Sequence, residues 1–136
     1  MSNTEQTLSI IKPDAVERNL DNEIKQMFIK NGFNIFKEKK IQIEKSEAEK
    51  FYKVHETKPF YNDLCEYLSS GPIVAMILEK KNAVTDNRKL MGATNPKDAE
   101  DGTIRKKYGI SIDKNSVHGS DSVENAKIEI EFFFKD

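Results

Sequence analysis

The chain has 136 residues, of which 37% are hydrophobic and 33% charged, with a net charge of −1. That length suits one domain with its own core, expected to span 1–136. No apolar run approaches the ~20 residues of a membrane helix. The balance of 22 basic and 23 acidic residues argues against a general nucleic-acid binder.

Residues 1–6 show neither a basic n-region nor an apolar h-region, so no secretory signal is expected. The single cysteine, Cys65, cannot close an internal disulfide. A reducing, cytoplasmic setting fits best.

Thr7-Leu8-Ser9-Ile10-Ile11 reads as a buried strand that stops at Lys12-Pro13. Leu20, Ile24, Met27 and Phe28 make a helical stripe, closed by Asn31-Gly32. Phe33, Ile35, Ile41 and Ile43 predict a half-exposed antiparallel strand, interrupted by Lys37-Glu38-Lys39-Lys40. Ser46-Glu47-Ala48-Glu49 matches a capping box, and Ala48, Phe51, Tyr52 and His55 follow it at helical spacing. Pro59 is placed to open a short helix carrying Phe60, Leu64 and Leu68. Ile73 to Leu78 is apolar on both faces and predicts a central strand. Asn82 is the expected cap of a helix through Ala83, Val84, Asn87, Leu90 and Met91.

From Gly92 to Val117 the periodicity fades, with one brief helix expected from Thr103 to Tyr108. A stretch of that length inside a compact domain marks function or mobility. Asp121-Ser122-Val123-Glu124 is another capping box, opening a last helix through Ala126, Ile130 and Phe133. The pattern as a whole is one α/β unit, with helices on a mainly antiparallel sheet.

Rare residues focus the search for chemistry. Nineteen of the 22 basic residues are Lys, and only Arg18, Arg88 and Arg105 are Arg. In so lysine-biased a chain, an arginine points to a need for its planar, bidentate fork. Arg88 and Arg105, with Lys12, can neutralise a polyphosphate; the alternative is three solvated surface cations. Arg18 is expected to tolerate Lys. Thr94 lies in a turn from which its hydroxyl can donate to phosphate. No Walker loop or G-x-G-x-x-G pattern is present.

His118 is followed by glycine and a Ser/Asp-rich helix start, which suits a phosphate. The residue can serve as nucleophile, general base or metal ligand, or sit idle in a surface turn. Two histidines and one cysteine with no close pair make a zinc site a poor reading. A Mg²⁺ held by substrate phosphates stays open. Phe60 can stack on a nucleobase or simply pack between helices. His55 and Cys65 read as packing residues.

Asn115-Ser116-Val117-His118-Gly119-Ser120-Asp121 resembles the N-x-x-H-G-S-D signature of the nucleoside diphosphate kinases. The resemblance extends over almost the whole chain. It includes Thr7 to Ala15, Phe51 to His55, Lys58-Pro59-Phe60-Tyr61, Ser70-Gly71-Pro72, Leu90 to Pro96 and Gly102 to Arg105. Asn22 stands where the family often has Gly.

The resemblance implies a ferredoxin-like βαββαβ sandwich, an α+β fold whose four-stranded antiparallel sheet is covered by helices. It implies ping-pong transfer of the γ-phosphate of a nucleoside triphosphate, mainly ATP, to a nucleoside diphosphate through a phosphohistidine on His118. Glu129 would orient His118, Ser120 would link to Glu129, and Tyr52 would line the catalytic pocket. Lys12 and Asn115 would reach the ribose 3′-hydroxyl. Arg88, Thr94 and Arg105 would hold the β and γ phosphates. Phe60 would stack on the base opposite Ile112, with Leu64 at the pocket edge. Mg²⁺ would be bound through phosphates and water, with no direct protein ligand. The implied assembly is a homo-oligomer, tetramer or hexamer. A catalytically silent relative and a nucleic-acid-binding regulator are the rival readings. The presence of His118, Lys12, Arg88, Arg105 and Asn115 opposes the first, and the net charge opposes the second.

Overall fold

The computed structural model describes residues 4–111 and 114–134. Strands β1 (Glu5–Ile11), β2 (Asn34–Ile41), β3 (Ile73–Lys80) and β4 (Val117–Gly119) form one sheet in the order β2-β3-β1-β4. Each neighbouring pair is antiparallel. The helices are α1 (Pro13–Glu17), α2 (Asp21–Lys30), α3 (Lys45–Phe51), α4 (Tyr61–Leu68), α5 (Ala83–Met91), α6 (Ile104–Tyr108) and α7 (Val123–Phe134). Short 3₁₀ turns lie at Lys53–His55 and Pro96–Asp98. This is the expected βαββαβ arrangement, with α3 and α4 inserted between β2 and β3.

Alternation along the two central strands gives each sheet face its own core. Ile11, Val74, Met76 and Leu78 pack with Ala15, Ile24, Phe28, Ala83 and Met91 under α1, α2 and α5. Leu8, Ile10, Ile73 and Ala75 pack with Ala48, Tyr52, Cys65, Leu68 and Phe133 under α3, α4 and α7. Full burial of each Val, Leu, Ile, Met or Phe among them stabilises the fold by roughly 1.5–3 kcal/mol. Thr7 and Ser9 are buried polar residues on β1.

Several local expectations shift. The strand stop at Pro13 is also a helix start, because proline's fixed φ suits the first position of α1. The charged run Lys37–Lys40 does not interrupt β2 but forms part of it, paired to β3. Helix α3 begins earlier than Ser46 suggests: Glu44 is its N-cap, and Glu47 Oε1 accepts from Glu44 N at 3.3 Å. Phe60 is the N-cap of α4 rather than a residue within it. At α7 the cap is Ser122, whose Oγ accepts from Asn125 N at 3.1 Å.

Arg18 is not interchangeable with Lys in this structure. Its Nε donates to Asp14 O at 3.0 Å, and its Nη2 reaches Tyr108 O at 2.6 Å and Asp14 Oδ2 at 3.2 Å. The fork ties α1 to the end of α6, which a single ammonium cannot do in the same geometry.

Candidate active site

Strand β4 was invisible as a pattern, yet its register sets the site. His118 opposes Ile10 of β1, and directly opposed residues share a sheet face. His118 therefore lies on the face covered by α3 and α7. Gly119 opposes Ser9 and turns the other way. A side chain there would collide with Asn87 and Met91 of α5, so the residue after the histidine is kept bare by close packing.

On α7, Ala126 and Phe133 face the core, and Glu129 falls three residues after the first and four before the second, on the same side. Its Oε1 lies 3.2 Å from His118 Nε2 and accepts from Ser120 Oγ at 2.8 Å. Ser120 Oγ in turn accepts from the backbone N–H of Leu8 at 3.2 Å. An ionised carboxylate only accepts, so the histidine nitrogen facing it carries the hydrogen. That leaves Nδ1 with its lone pair.

Two aromatic rings wall the imidazole. Phe51 meets it edge-on with centroids 5.2 Å apart, and Tyr52 does so at 6.2 Å. Phe51 was not among the expected site residues. Its adjacency to Tyr52 was the available signal. Burial, and next the Glu129 carboxylate, push the Tyr52 phenol well above its ordinary range, so it stays neutral.

The cationic residues separate into two groups. Lys12, 6% exposed, donates from Nζ to Asn115 Oδ1 at 2.9 Å, and Asn115 Nδ2 donates to Thr94 O at 3.0 Å. Arg88, Thr94 and Arg105 line a cavity of about 870 Å³ together with Gly92, Thr103 and Asp121. Arg105 spends one N–H of each Nη on the chain itself, to Gly92 O at 3.0 Å and Val117 O at 2.9 Å. It thereby braces β4 against the turn after α5. Burial, and next the Arg88 charge, lower its pKa to about 10. Gly92 has φ +85 and abuts the Thr103 side chain, so both its conformation and its lack of a side chain are needed there.

Phe60 is exposed and is not among the residues lining that cavity. It connects inward by ring contacts to His55 at 6.1 Å and from His55 to Tyr52 at 6.2 Å. His55 is thus part of an aromatic line from Phe60 through Tyr52 to His118. Leu64 packs against the core cluster beneath α4. Ile112 lies outside the described residues.

Asn115 and His118 are separated by a strained turn. Ser116 has φ +75, a left-handed conformation that costs a non-glycine residue about 1–3 kcal/mol. Among the described residues no group of three His, Cys, Asp or Glu side chains could hold a metal ion. Asp98, Glu100 and Asp121 line the same cavity as the arginines, but they do not converge into a metal site.

The family model for nucleoside diphosphate kinase matches residues 5–136. The nucleoside diphosphate kinase of Campylobacter lari is 59% identical over 130 residues, covering 96% of this chain and 95% of that protein. A crystal structure of the Aquifex aeolicus nucleoside diphosphate kinase superposes with a TM-score of 0.95 at 39% identity, covering 97% of this chain and 96% of that one. The apo Encephalitozoon cuniculi nucleoside diphosphate kinase superposes with a TM-score of 0.94 at 41% identity, covering 97% of this chain and 90% of that one. An imidazole backed by a carboxylate, on a strand that Arg105 of the cavity grips at Val117 O, sits on the same fold as these enzymes. The chain belongs to the nucleoside diphosphate kinase family and is a phosphotransferase.

Proposed function

We propose that the reaction runs by ping-pong transfer through His118 Nδ1. The observation that carries this reading is the engagement of Nε2 by Glu129 at 3.2 Å. Nδ1 attacks the γ-phosphorus of a nucleoside triphosphate, mainly ATP. The bond from that phosphorus to the bridging oxygen breaks, and the diphosphate leaves with the electron pair. The phosphorylated ring carries positive charge, which the Glu129 carboxylate stabilises through Nε2–H. An acceptor diphosphate then attacks the same phosphorus in the reverse sense.

Lys12 and Asn115 take the sugar 3′-hydroxyl and the nearby phosphate. Arg88, Arg105 and Thr94 hold the β and γ phosphates, and Tyr52 and Ser120 keep the histidine and Glu129 in place. Phe60 stacks on the base, with Leu64 at the edge of that pocket. Mg²⁺ accompanying the nucleotide would be held through the substrate's phosphates and water rather than by a direct protein ligand, and would supply charge neutralisation. Positioning and charge, rather than elaborate covalent chemistry, are what phosphoryl transfer demands.

Residues 1–136 are proposed to act as one catalytic domain in the cytoplasm. The single cysteine, free and buried at Cys65, supports that setting. The proposed assembly is a homo-oligomer, tetramer or hexamer. Supporting it, β2 ends the sheet as an edge strand, beside exposed Phe36 and Ile29. Such an edge invites pairing with a second chain.

The test is incubation of the pure protein with γ-labelled ATP. Acid-labile, base-stable label on the chain, lost in His118→Gln with nucleotide binding retained, supports the reading. Label that persists in His118→Gln at the wild-type rate overturns it.

A further inference from the structure

Asp14 lies just after Lys12 and shows 5% exposure. Its carboxylate has three side-chain partners. Tyr67 Oη donates to Oδ1, while Arg18 Nη2 and Ser116 Oγ each donate to Oδ2 at 3.2 Å. Tyr67 Oη also accepts from the Asp14 backbone N–H at 2.7 Å. The hub joins α1, α4 and the loop before β4.

Ser116 is the loop's contribution, and it is an unusual residue for that place. Its backbone is left-handed, at φ +75, where glycine would be at ease and serine is not. Its side chain is fully buried, and its carbonyl accepts from Lys12 N–H at 2.8 Å. The residue before it is Asn115, whose Oδ1 accepts from Lys12 Nζ at 2.9 Å. One serine is thus tied to Asp14 through its hydroxyl and to Lys12 through its carbonyl, with Asn115 covalently attached.

We infer that Ser116, anchored by its hydroxyl to Asp14, is a positioning residue that sets Asn115 and Lys12 against the sugar of the nucleotide. The inference rests on the proposed use of the 3′-hydroxyl by those two residues. Ser116 touches no reacting atom. Its hydroxyl holds the strained turn in register, and the turn fixes where the Asn115 amide and the Lys12 ammonium meet. Removing the hydroxyl would leave the buried Asp14 carboxylate without one of its three side-chain partners, and a small misplacement of a substrate-orienting pair is costly.

Ser116→Gly is the informative variant, because glycine accepts the left-handed backbone and removes only the hydroxyl anchor. Rates of His118 phosphorylation are compared for ATP, 3′-deoxy-ATP and phosphoramidate, a histidine-phosphorylating reagent with no sugar. The variant is expected to lose about five- to a hundredfold in kcat/KM with ATP. The loss should shrink to within about twofold with 3′-deoxy-ATP, and phosphoramidate labelling should stay within about twofold of wild type. Ser116→Ala should repeat the pattern.

Equal losses on ATP and 3′-deoxy-ATP, or no loss at all, would overturn the inference. So would a parallel fall in phosphoramidate labelling, or failure of both variants to fold at the assay temperature, since the serine would then only support the fold. A wild type indifferent to the 3′-hydroxyl overturns the sugar-site reading and the inference with it. A wild type that discriminates, beside variants that lose equally on both nucleotides, overturns the tether alone.

Discussion

His118 Nε2 and Ser120 Oγ converge on the same oxygen of Glu129, at 3.2 and 2.8 Å. The serine is itself held by Leu8 N–H of the central strand β1 at 3.2 Å. The imidazole is therefore oriented by a chain of contacts that ends in the backbone of a strand paired on both sides. Glu129→Gln keeps the shape of that contact and removes the charge that stabilises a positive ring. It is expected to cost about 1.5–3 kcal/mol, or roughly ten- to a hundredfold, in kcat/KM. Ser120→Ala should cost less, about 0.5–1.5 kcal/mol. Steady-state kinetics on both variants check this, and a Ser120→Ala loss exceeding that of Glu129→Gln would contradict the ordering.

Phe51 packs edge-on against His118 while also meeting Tyr52, Phe132 and Phe133 at 5.0, 5.6 and 5.1 Å. Phe51→Leu retains most of the apolar volume and loses the ring-edge contact. Such contacts contribute about 0.5–1.5 kcal/mol. A two- to tenfold drop in kcat, with a smaller change in KM, is the expected result. A change confined to KM would show that Phe51 serves substrate binding instead.

The three arginines differ in what their forks hold. Arg105 braces Gly92 and Val117 through its two Nη groups, and Arg88 lines the same cavity more openly. Arg88→Lys and Arg105→Lys are each expected to cost about 1.4–4 kcal/mol in kcat/KM, and only Arg105→Lys should also lower stability. Arg18→Lys should leave kcat/KM closer to wild type and lower stability by about 1–3 kcal/mol, or roughly 3–10 °C in Tm. Kinetics paired with thermal melts separate the cases. Equal kinetic losses at all three positions would contradict the division.

The strong apolar runs were legible because burial on both faces leaves little choice of element: β1 and β3 read directly from Leu8 to Ile11 and from Ile73 to Leu78. Helices α2, α5 and α7 were legible from their stripes. Strand β4 was not, because its three residues carry no alternation long enough to count, and only pairing with β1 makes them a strand. The Ser46 cap failed because a carboxylate at Glu44 competes for the same end of α3. The argument from scarce arginines pointed to Arg88 and Arg105 for the site, and the fold shows a different use of the third fork, since Arg18 is held by backbone carbonyls and the Asp14 carboxylate. Resemblance singled out Glu129 and Ser120. Ser116 carried no sequence signal, since its left-handed backbone and its bond to Asp14 exist only in the fold.

Base selectivity should be weak. Phe60 is exposed and offers a face rather than a hydrogen-bonding edge. Stacking contributes roughly 1–3 kcal/mol per base without reading that edge. Adenine, guanine, cytosine and uracil diphosphates are expected to fall within about 1–2 kcal/mol of one another in kcat/KM. A preference of several hundredfold for one base would show a polar reader beside Phe60.

The nitrogen that carries the phosphoryl group tests the central claim most directly. The protein is labelled uniformly with ¹⁵N, phosphorylated with ATP, kept at alkaline pH and examined by ¹⁵N and ³¹P NMR. Because Glu129 occupies the Nε2 side of the ring, phosphorus is expected on Nδ1 of His118, with Nε2 retaining its hydrogen. Phosphorus on Nε2, or on any residue other than His118, would contradict the account.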